Sequence, residues 1–540
     1  MMQTKKQVDA VVVGAGFAGL YMLHKLRESN LHAIVYEAGA EVGGVWYWNL
    51  YPGAKCDIDS IYYCYTFSEE LYKKWNWTSK YPKQQEILNY LNFVADELDL
   101  RKDIQFNTQV VGATFDEQHN LWDVTLKNGE VVTTKYFISA VGCLSATNLP
   151  KIEGIEQFEG ESYHTGKWPR NPIDLTNKRV GVIGTGSSGV QLIPEVAKVA
   201  AQLTVFQRTA QYVLPANNYD YTQQFIEESK DSYEAARNLL HYSPSGSAIT
   251  IRNKSAFEDT AEERAAAFEE AWATGGFHMT TTYNDLMVNE QANAFVSDFI
   301  RGKIKSTVQD RDTAESLLPN YMYGVKRLTL GTNYYETYNR SNVRLVNLRK
   351  TPIEKITAQS IQTAKEEIPL DVIIYATGYD GMTGPLLRMN IKGRNGVSLN
   401  EKWEDGGKVR TFLGIATHDF PNFFMITGPE SPSVIVVMPT AIEQHVDFIS
   451  DCINYLEKHD IHAIEPTKEA EEEWSKHNRE VAEMTLYTKG DSWYTGANIE
   501  GKPRSFLIYL GGFDHYRAKC DTVASTNYAD FQLYSPISEN

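Results

Sequence analysis

Short apolar runs alternate with longer segments of helical period along these 540 residues, which predicts an α/β protein. The chain opens on DAVVVGAGFAGLYMLHKLRE (Asp9–Glu28): an apolar strand, a glycine turn and a Leu-rich helix. The same unit returns as KRVGVIGTGSSGVQLIPEVAKVA (Lys178–Ala200). Gly184 lies 170 positions beyond Gly14, too far for a solenoid repeat, so two related domains are expected. From about Asp220 to Leu318 the pattern changes. EERAAAFEEAW and DTAESLL are rich in Glu, Ala and Leu and predict a mostly helical insertion. Strands return at NVRLVNL and LDVIIYATGYD, and the last segment mixes strands such as NFFMITGP with helices such as AIEQHVDFISDCINYLEKH. The expected division is two Rossmann-like dinucleotide-binding domains, each built from two stretches, with the insertion between them. The first domain takes 1–145 and 384–540, the second 146–220 and 333–383, and the insertion 221–332.

Composition narrows the function classes. With 42% hydrophobic and 22% charged residues, the chain is of ordinary globular composition and long enough for several cores. A net charge of −17 makes nucleic acid and anionic membrane surfaces poor partners. The five cysteines, Cys56, Cys64, Cys143, Cys452 and Cys520, form no C-x-x-C pair. Neither a disulfide framework nor a zinc site is implied, and free buried thiols in a reducing cytoplasm are expected. His278, His418 and His445 have no partner at metal-ligand spacing, so no metal is expected. No apolar run reaches the roughly 18–20 residues of a membrane span. The run Val8–Val13, after Lys5 and Lys6, enters a glycine turn and reads as a strand, not a signal peptide.

Gly14-Ala15-Gly16-Phe17-Ala18-Gly19 is G-x-G-x-x-G between strand and helix. The glycines permit the tight turn, the approach of a pyrophosphate to the backbone and close helix–strand packing; the helix N-terminus offers unpaired N–H groups. The next strand, HAIVYE, ends at Glu37, 18 residues past Gly19. An acid there accepts the hydroxyls of an adenosine ribose and disfavours a 2′-phosphate, so FAD or NAD fits and NADP does not. The second cradle is Gly184-Thr185-Gly186-Ser187-Ser188-Gly189, and its following strand LTVFQR ends at Arg208, 19 residues past Gly189. A guanidinium at that position suits a 2′-phosphate. FAD is therefore assigned to the first cradle and NADPH to the second. The pair forms a hydride relay from nicotinamide to flavin. A disulfide acceptor would need a redox dithiol, which leaves dioxygen as the common acceptor.

Two longer motifs carry a resemblance. FEGESYHTGKWP (Phe158–Pro169) matches F-x-G-x-x-x-H-x-x-x-W-P, and GGVWYWNLYPGAKCD (Gly43–Asp57) matches G-G-x-W-x-x-x-x-Y-P-G-x-x-x-D without a departure. In these the chain resembles the type I Baeyer–Villiger monooxygenases, and among them the cyclohexanone monooxygenases. The resemblance implies an enzyme in which reduced FAD and dioxygen give a flavin peroxide anion. That anion attacks a ketone, with a cyclic one expected, and the tetrahedral adduct rearranges to an ester or lactone. It makes Arg327, in YGVKRLTLGTNYYETYN, the essential arginine and Asp57 the carboxylate that holds it. It assigns Lys326 and Thr209 to NADPH beside Arg208, Gln191 to the diphosphate, and Trp493 to a mobile loop over nicotinamide and substrate. Ala376-Thr377-Gly378 becomes a strand end beside the NADP site. Gly44, Val45, Trp46, Tyr63 and Val110 join the cofactor-binding set; of Trp46 and Trp48, Trp46 is placed near the flavin, with plain core as the other reading. His164 reads as structural or as a relay for domain movement. Pro429–Met438 and the loop around Trp493 are expected to wall the substrate pocket. Partners are then a small-molecule ketone and dioxygen, for a monomer or small homo-oligomer. Two readings compete: a flavin monooxygenase acting on sulfur or nitrogen, and a non-catalytic flavin redox module.

Overall fold

The computed structural model describes residues 6–535, so Lys5 lies outside it. Two sheets organise the chain. In the first, Lys6–Val13 is flanked in parallel by Ala33–Tyr36 and by Val131–Ser139, with Val13 opposite Tyr36 and Ser139. The order continues to Ile104–Gln105 on one side and, through Leu121–Leu126 and Val110–Asp116, to Asn390–Lys392 on the other. The short strand Phe423–Met425 adds to Val131–Ser139. The second sheet is wholly parallel, in the order Val343–Asn347, Gln202–Gln207, Arg179–Ile183, Val372–Tyr375, Glu161–His164. Its inner strands Arg179–Ile183 and Val372–Tyr375 are nearly continuous buried runs, because the helix Ser187–Val199 covers one face and a small antiparallel sheet (Ile353–Ile356, Ser360–Thr363, Glu367–Pro369) packs on the other, while the edge strands Glu161–His164 and Val343–Asn347 are more polar.

Each sheet has its own core. Ala10 and Val12 pack with Leu20, Leu23 and Leu26 of the helix Phe17–Glu28 and with Val446, Ile449 and Ile453 of the helix Met438–Lys458. Val180, Val182 and Val205 pack with Leu192, Ile193 and Val196 of the helix Ser187–Val199.

The segment between the two stretches of the second sheet is mainly helical, but it does not pack as one unit. Ala261–Thr274 and Glu290–Thr307 send Phe268, Val296 and Ile300 into the core of the second sheet. Tyr233–Tyr242 instead puts Tyr233 and Leu240 into the core of the first. A parallel pair, Val213–Pro215 with Thr329–Gly331, closes the base of this segment. That pairing brings the chain back beside the second cradle two residues after Arg327. No described helix is long and apolar enough to cross a membrane, and the five cysteines are buried and unpaired.

Candidate active site and dinucleotide cradles

The first cradle is shaped by backbone that admits no side chain. Gly14 sits at φ +104°, and a Cβ on Gly19 would lie 1.8 Å from the Gly14 carbonyl oxygen. Gly16 faces Gly44 so closely that a Cβ on it would meet the Gly44 Cα at 3.3 Å. The helix Phe17–Glu28 has neither a side-chain cap nor an acid in its first turn, which leaves its N-terminal donors and dipole for an outside anion. Glu37 follows the strand Ala33–Tyr36 and is only 5% exposed. Its carboxylate accepts from Ala15 N at 2.7 Å and Gly39 N at 2.6 Å. Burial raises its pKa against the pull of those two bonds.

Gly44 leads into the short helix Val45–Trp48. Trp46 is buried, and its indole N–H donates to Tyr63 Oη at 3.2 Å; the Tyr63 ring meets Phe17 edge-on at 5.4 Å. Trp48 is exposed. The Val110 side chain packs with Val11 and Val13, whose side chains alternate with Ala10 and Val12 along the strand. Any contact from Val110 to a nucleotide beside Phe17 therefore runs through its backbone.

The second cradle repeats the logic. Gly184 has φ +107°, a Cβ there would lie 2.4 Å from the Ala376 carbonyl oxygen, and one on Gly189 would lie 2.4 Å from the Gly184 oxygen. A Cβ on Gly186 would meet nothing within 4 Å, so the space above the turn is open. The helix Ser187–Val199 again lacks a side-chain cap and a first-turn acid. Thr185 Oγ1 donates to the Thr209 carbonyl at 3.1 Å. Arg208 leaves the strand Gln202–Gln207 exposed. Lys326 donates to the Asp491 carbonyl and lies 5.2 Å from the Tyr321 ring centre. These glycines, uncapped helices and opposite charges after the second strands fit two dinucleotides, one with a free ribose and one with a 2′-phosphate.

Gln191 also bonds within the protein. Its amide oxygen accepts from Tyr51 Oη at 2.9 Å and Lys55 N at 3.3 Å, and its Nε2 donates to Lys55 O at 3.0 Å. Nε2 keeps a second N–H, so the side chain can still donate to a diphosphate with these bonds intact. A Cβ on Gly53 would lie 2.3 Å from the Gln191 carbonyl oxygen. The segment Gly43–Asp57 thus starts against the first cradle and ends against the helix of the second.

Asp57 closes that segment and meets Arg327. Arg327 Nη2 donates to Asp57 Oδ2 at 2.7 Å and Nη1 donates to the Val434 carbonyl at 2.9 Å. The two side chains keep 28% and 24% exposure, so the pair is open to one side. Burial works against the guanidinium charge, but the Asp57 carboxylate outweighs it and holds the pKa above its ordinary value. Phe277 lies beneath, its ring centre 5.4 Å from Arg327 Cζ. Leu144, Val434, Ile435, Met438, Trp493 and Phe506 pack, partly exposed, against the core that includes Val11 and Val13. A Cβ on Gly381 would touch the Trp493 ring at 3.0 Å. Lys502 of the same loop pairs with Asp380 and donates to Thr383 Oγ1 at 2.7 Å. Val434 as the second clamp of Arg327, Phe277 beneath it and the Lys502–Asp380 pair were not read from the sequence, because none sits in a motif.

His164 bonds locally. Its Nδ1 accepts from Gly166 N at 3.0 Å, and Nε2 lies 3.3 Å from Asn148 O and 3.4 Å from Thr377 Oγ1. Burial lowers its pKa, which suits a neutral joint between strand ends. Arg170, just past Trp168-Pro169, stacks its guanidinium 3.4 Å from the Tyr47 ring centre and donates to Tyr47 O at 2.9 Å. The two signature motifs are therefore tied to each other. One expectation is corrected: His418 does have partners, with Asp419 and Glu465 all within 4.8 Å. Glu465 comes from 46 residues away, beyond the reach of a spacing rule. Arg394 Nε and Tyr534 Oη, at 2.7 and 2.5 Å, already bond the Glu465 carboxylate, so a guanidinium neutralises it.

Two dinucleotide cradles, linked by the segment whose Asp57 clamps Arg327, are the plan of a two-cofactor flavoprotein. Residues 5–232 match the flavin-binding monooxygenase-like family. A Baeyer–Villiger monooxygenase of Pseudooceanicola batsensis is 44% identical over 96% of this chain and 95% of its own length. A phenazine N-monooxygenase of Lysobacter antibioticus is 42% identical over 99% and 98%. The crystal structure of cyclohexanone monooxygenase from Rhodococcus sp. Phi1 bound to NADP+ superposes with a TM-score of 0.96 at 41% identity, covering 99% of this chain and 100% of that one. The chain belongs to the Baeyer–Villiger monooxygenase family of FAD- and NADPH-dependent enzymes.

Proposed function

We propose that this protein inserts one atom of dioxygen beside the carbonyl of a ketone, giving an ester or, from a cyclic ketone, a lactone. The observation that carries the reading is Arg327 held by the Val434 carbonyl and by Asp57, at the end of the segment that links the two cradles. In this reading Gly14–Gly19 and Glu37 hold FAD, with Gly44–Trp46, Tyr63 and the Val110 backbone around it. Gly184–Gly189, Gln191, Arg208, Thr209, Lys326 and Ala376 hold NADPH. Bound FAD, reduced by NADPH, supplies the oxygen-activating chemistry.

The chain's own residues govern charge and water. A guanidinium stays protonated at any working pH and is a poor proton donor. With two N–H groups clamped, Arg327 presents its remaining donors to negative charge growing on an oxygen without giving up a proton. Asp57 orients it and balances its charge, since an unpaired cation out of water is costly. The Phe277 ring beside the guanidinium keeps water from that side, which strengthens the interaction. Five unpaired cysteines suit work in a reducing cytoplasm.

A second reading, oxygen transfer to a ring nitrogen, is favoured by the 42% identity to the phenazine N-monooxygenase. Product analysis under ¹⁸O₂ separates the two. The purified protein, given NADPH and a panel of cyclic, linear and aryl ketones, should form esters carrying one labelled oxygen, with NADPH consumption accelerated by ketone. Labelled N-oxide from a nitrogen heterocycle, with no ester from any ketone, would establish the second reading instead.

A further inference from the structure

The strand Val343–Asn347 lies at the edge of the second sheet, parallel to Gln202–Gln207 and in register, with Asn347 opposite Gln207. The two chains therefore leave the sheet side by side, and Leu348 N still donates to Gln207 O at 2.8 Å. The next residue is Arg349. Its Nε donates to the Arg208 carbonyl at 2.9 Å and its Nη2 reaches Thr209 Oγ1 at 3.4 Å. Thr209 is in turn bound through its carbonyl to Thr185 of the second cradle. Arg349 is thus fastened to the same two residues that stand at the nucleotide's ribose, yet no motif contains it.

We propose that Arg349 is a third cation for the 2′-phosphate of the coenzyme and, with Arg208 and Lys326, sets the preference for NADPH over NADH. The proposal rests on the reading that the second cradle takes NADPH. Charge carries it. The chain has a net charge of −17, yet Arg208, Lys326 and Arg349 converge, and among the described residues none of the three has a salt-bridge partner. The nearby acid, Asp491, gives its carboxylate to Arg504 at 2.7 Å and only its backbone carbonyl to Lys326. The field of the group is felt within it: burial lowers the Lys326 pKa, Asp491 opposes this, and Arg208 and Arg349 lower it further. Three cations with one nearby acid, itself paired with Arg504, still repel one another, and a dianion placed among them relieves that repulsion. The two bonds that fix the Arg349 guanidinium leave Nη1 for a phosphate oxygen, and fixing it beforehand reduces the entropy lost on binding.

The test uses the FAD-loaded enzyme with Arg349→Ala, Arg349→Lys and Arg208→Ala. Steady-state kinetics with NADPH and NADH are paired with titration of 2′,5′-ADP and 5′-ADP. Arg349→Ala should lower kcat/KM for NADPH roughly tenfold, chiefly through KM, and NADH far less. Its affinity for 2′,5′-ADP should fall by a similar factor while that for 5′-ADP holds, and Arg349→Lys should recover part of the loss. Equal effects on both coenzymes, or none, would overturn the assignment. If Arg208→Ala erases the NADPH preference and Arg349→Ala does not, only the role of Arg349 fails. If neither variant alters it, the reading of the second cradle fails as well.

Discussion

Asp57 and Arg327 pair at 2.7 Å with about a quarter of each side chain exposed. Their attraction is therefore partly screened, and the value of Asp57 lies in aiming the guanidinium more than in stabilising the fold. Asp57→Asn keeps an acceptor for Arg327 Nη2 but removes the charge. Ester formation should fall by less than the roughly 10²–10³ that loss of a transition-state donor costs. NADPH should go increasingly to hydrogen peroxide. Measuring ester and hydrogen peroxide per NADPH checks this, and unchanged coupling would remove Asp57 from the account. At this scale the cradle glycines, Glu37 and Arg208 were legible because a motif and a fixed interval mark them. Arg327 was legible only through a resemblance. Val434, Phe277 and Arg349 were not, because contacts across 107, 50 and 141 positions leave no periodic trace.

His445 shows what the elements contribute beyond packing. It lies in the helix Met438–Lys458, fully buried, between a turn and a second helix, Phe513–Ser525. Its Nδ1 accepts from Thr427 N at 3.0 Å, so the proton sits on Nε2, which donates to Tyr516 Oη at 2.8 Å. Tyr516 Oη in turn donates to the Leu413 carbonyl at 2.6 Å. Thr427 and Leu413 both have positive φ, so the relay fixes two strained turns. A proton on Nδ1 would face the Thr427 N–H, and burial holds the His445 pKa down to about 4. A depressed folded pKa adds stability that is complete above the unfolded value of about 6.5 and is lost as pH falls through 4. That is on the order of 3 kcal/mol. Denaturant unfolding of His445→Gln should show lower stability at pH 7 but a shallower fall between pH 6.5 and 4 than the parent chain. An identical acid slope would refute the neutral relay. The strands and helices of both cradles could be read from apolar runs. Phe423–Met425 could too, inside NFFMITGP, but the three-residue strands Val213–Pro215 and Thr329–Gly331 could not, since so short a run has no periodicity and forms only against a partner.

Across the molecule, the two signature motifs tie two sheets with separate cores. Gly43–Asp57 runs from Gly16 to the helix after the second cradle, and Arg170 beyond the other motif stacks on Tyr47. The helical insertion was foreseen as one body, but Tyr233–Tyr242 packs with the first sheet. There His241 Nε2 lies 2.9 Å from the Glu443 carboxylate, which also accepts from Thr66 N at 2.5 Å and Phe67 N at 3.0 Å. Composition identified the segment as helical but held no information on which core its faces would meet. The central claim remains that Arg327 serves the oxygen-transfer step and not flavin reduction. Stopped-flow reduction by NADPH, followed in the same sample by ester analysis, separates the two in Arg327→Ala. Flavin should still be bleached by NADPH, while ester falls below detection and hydrogen peroxide takes its place. Ester formed at the parental yield would contradict the account.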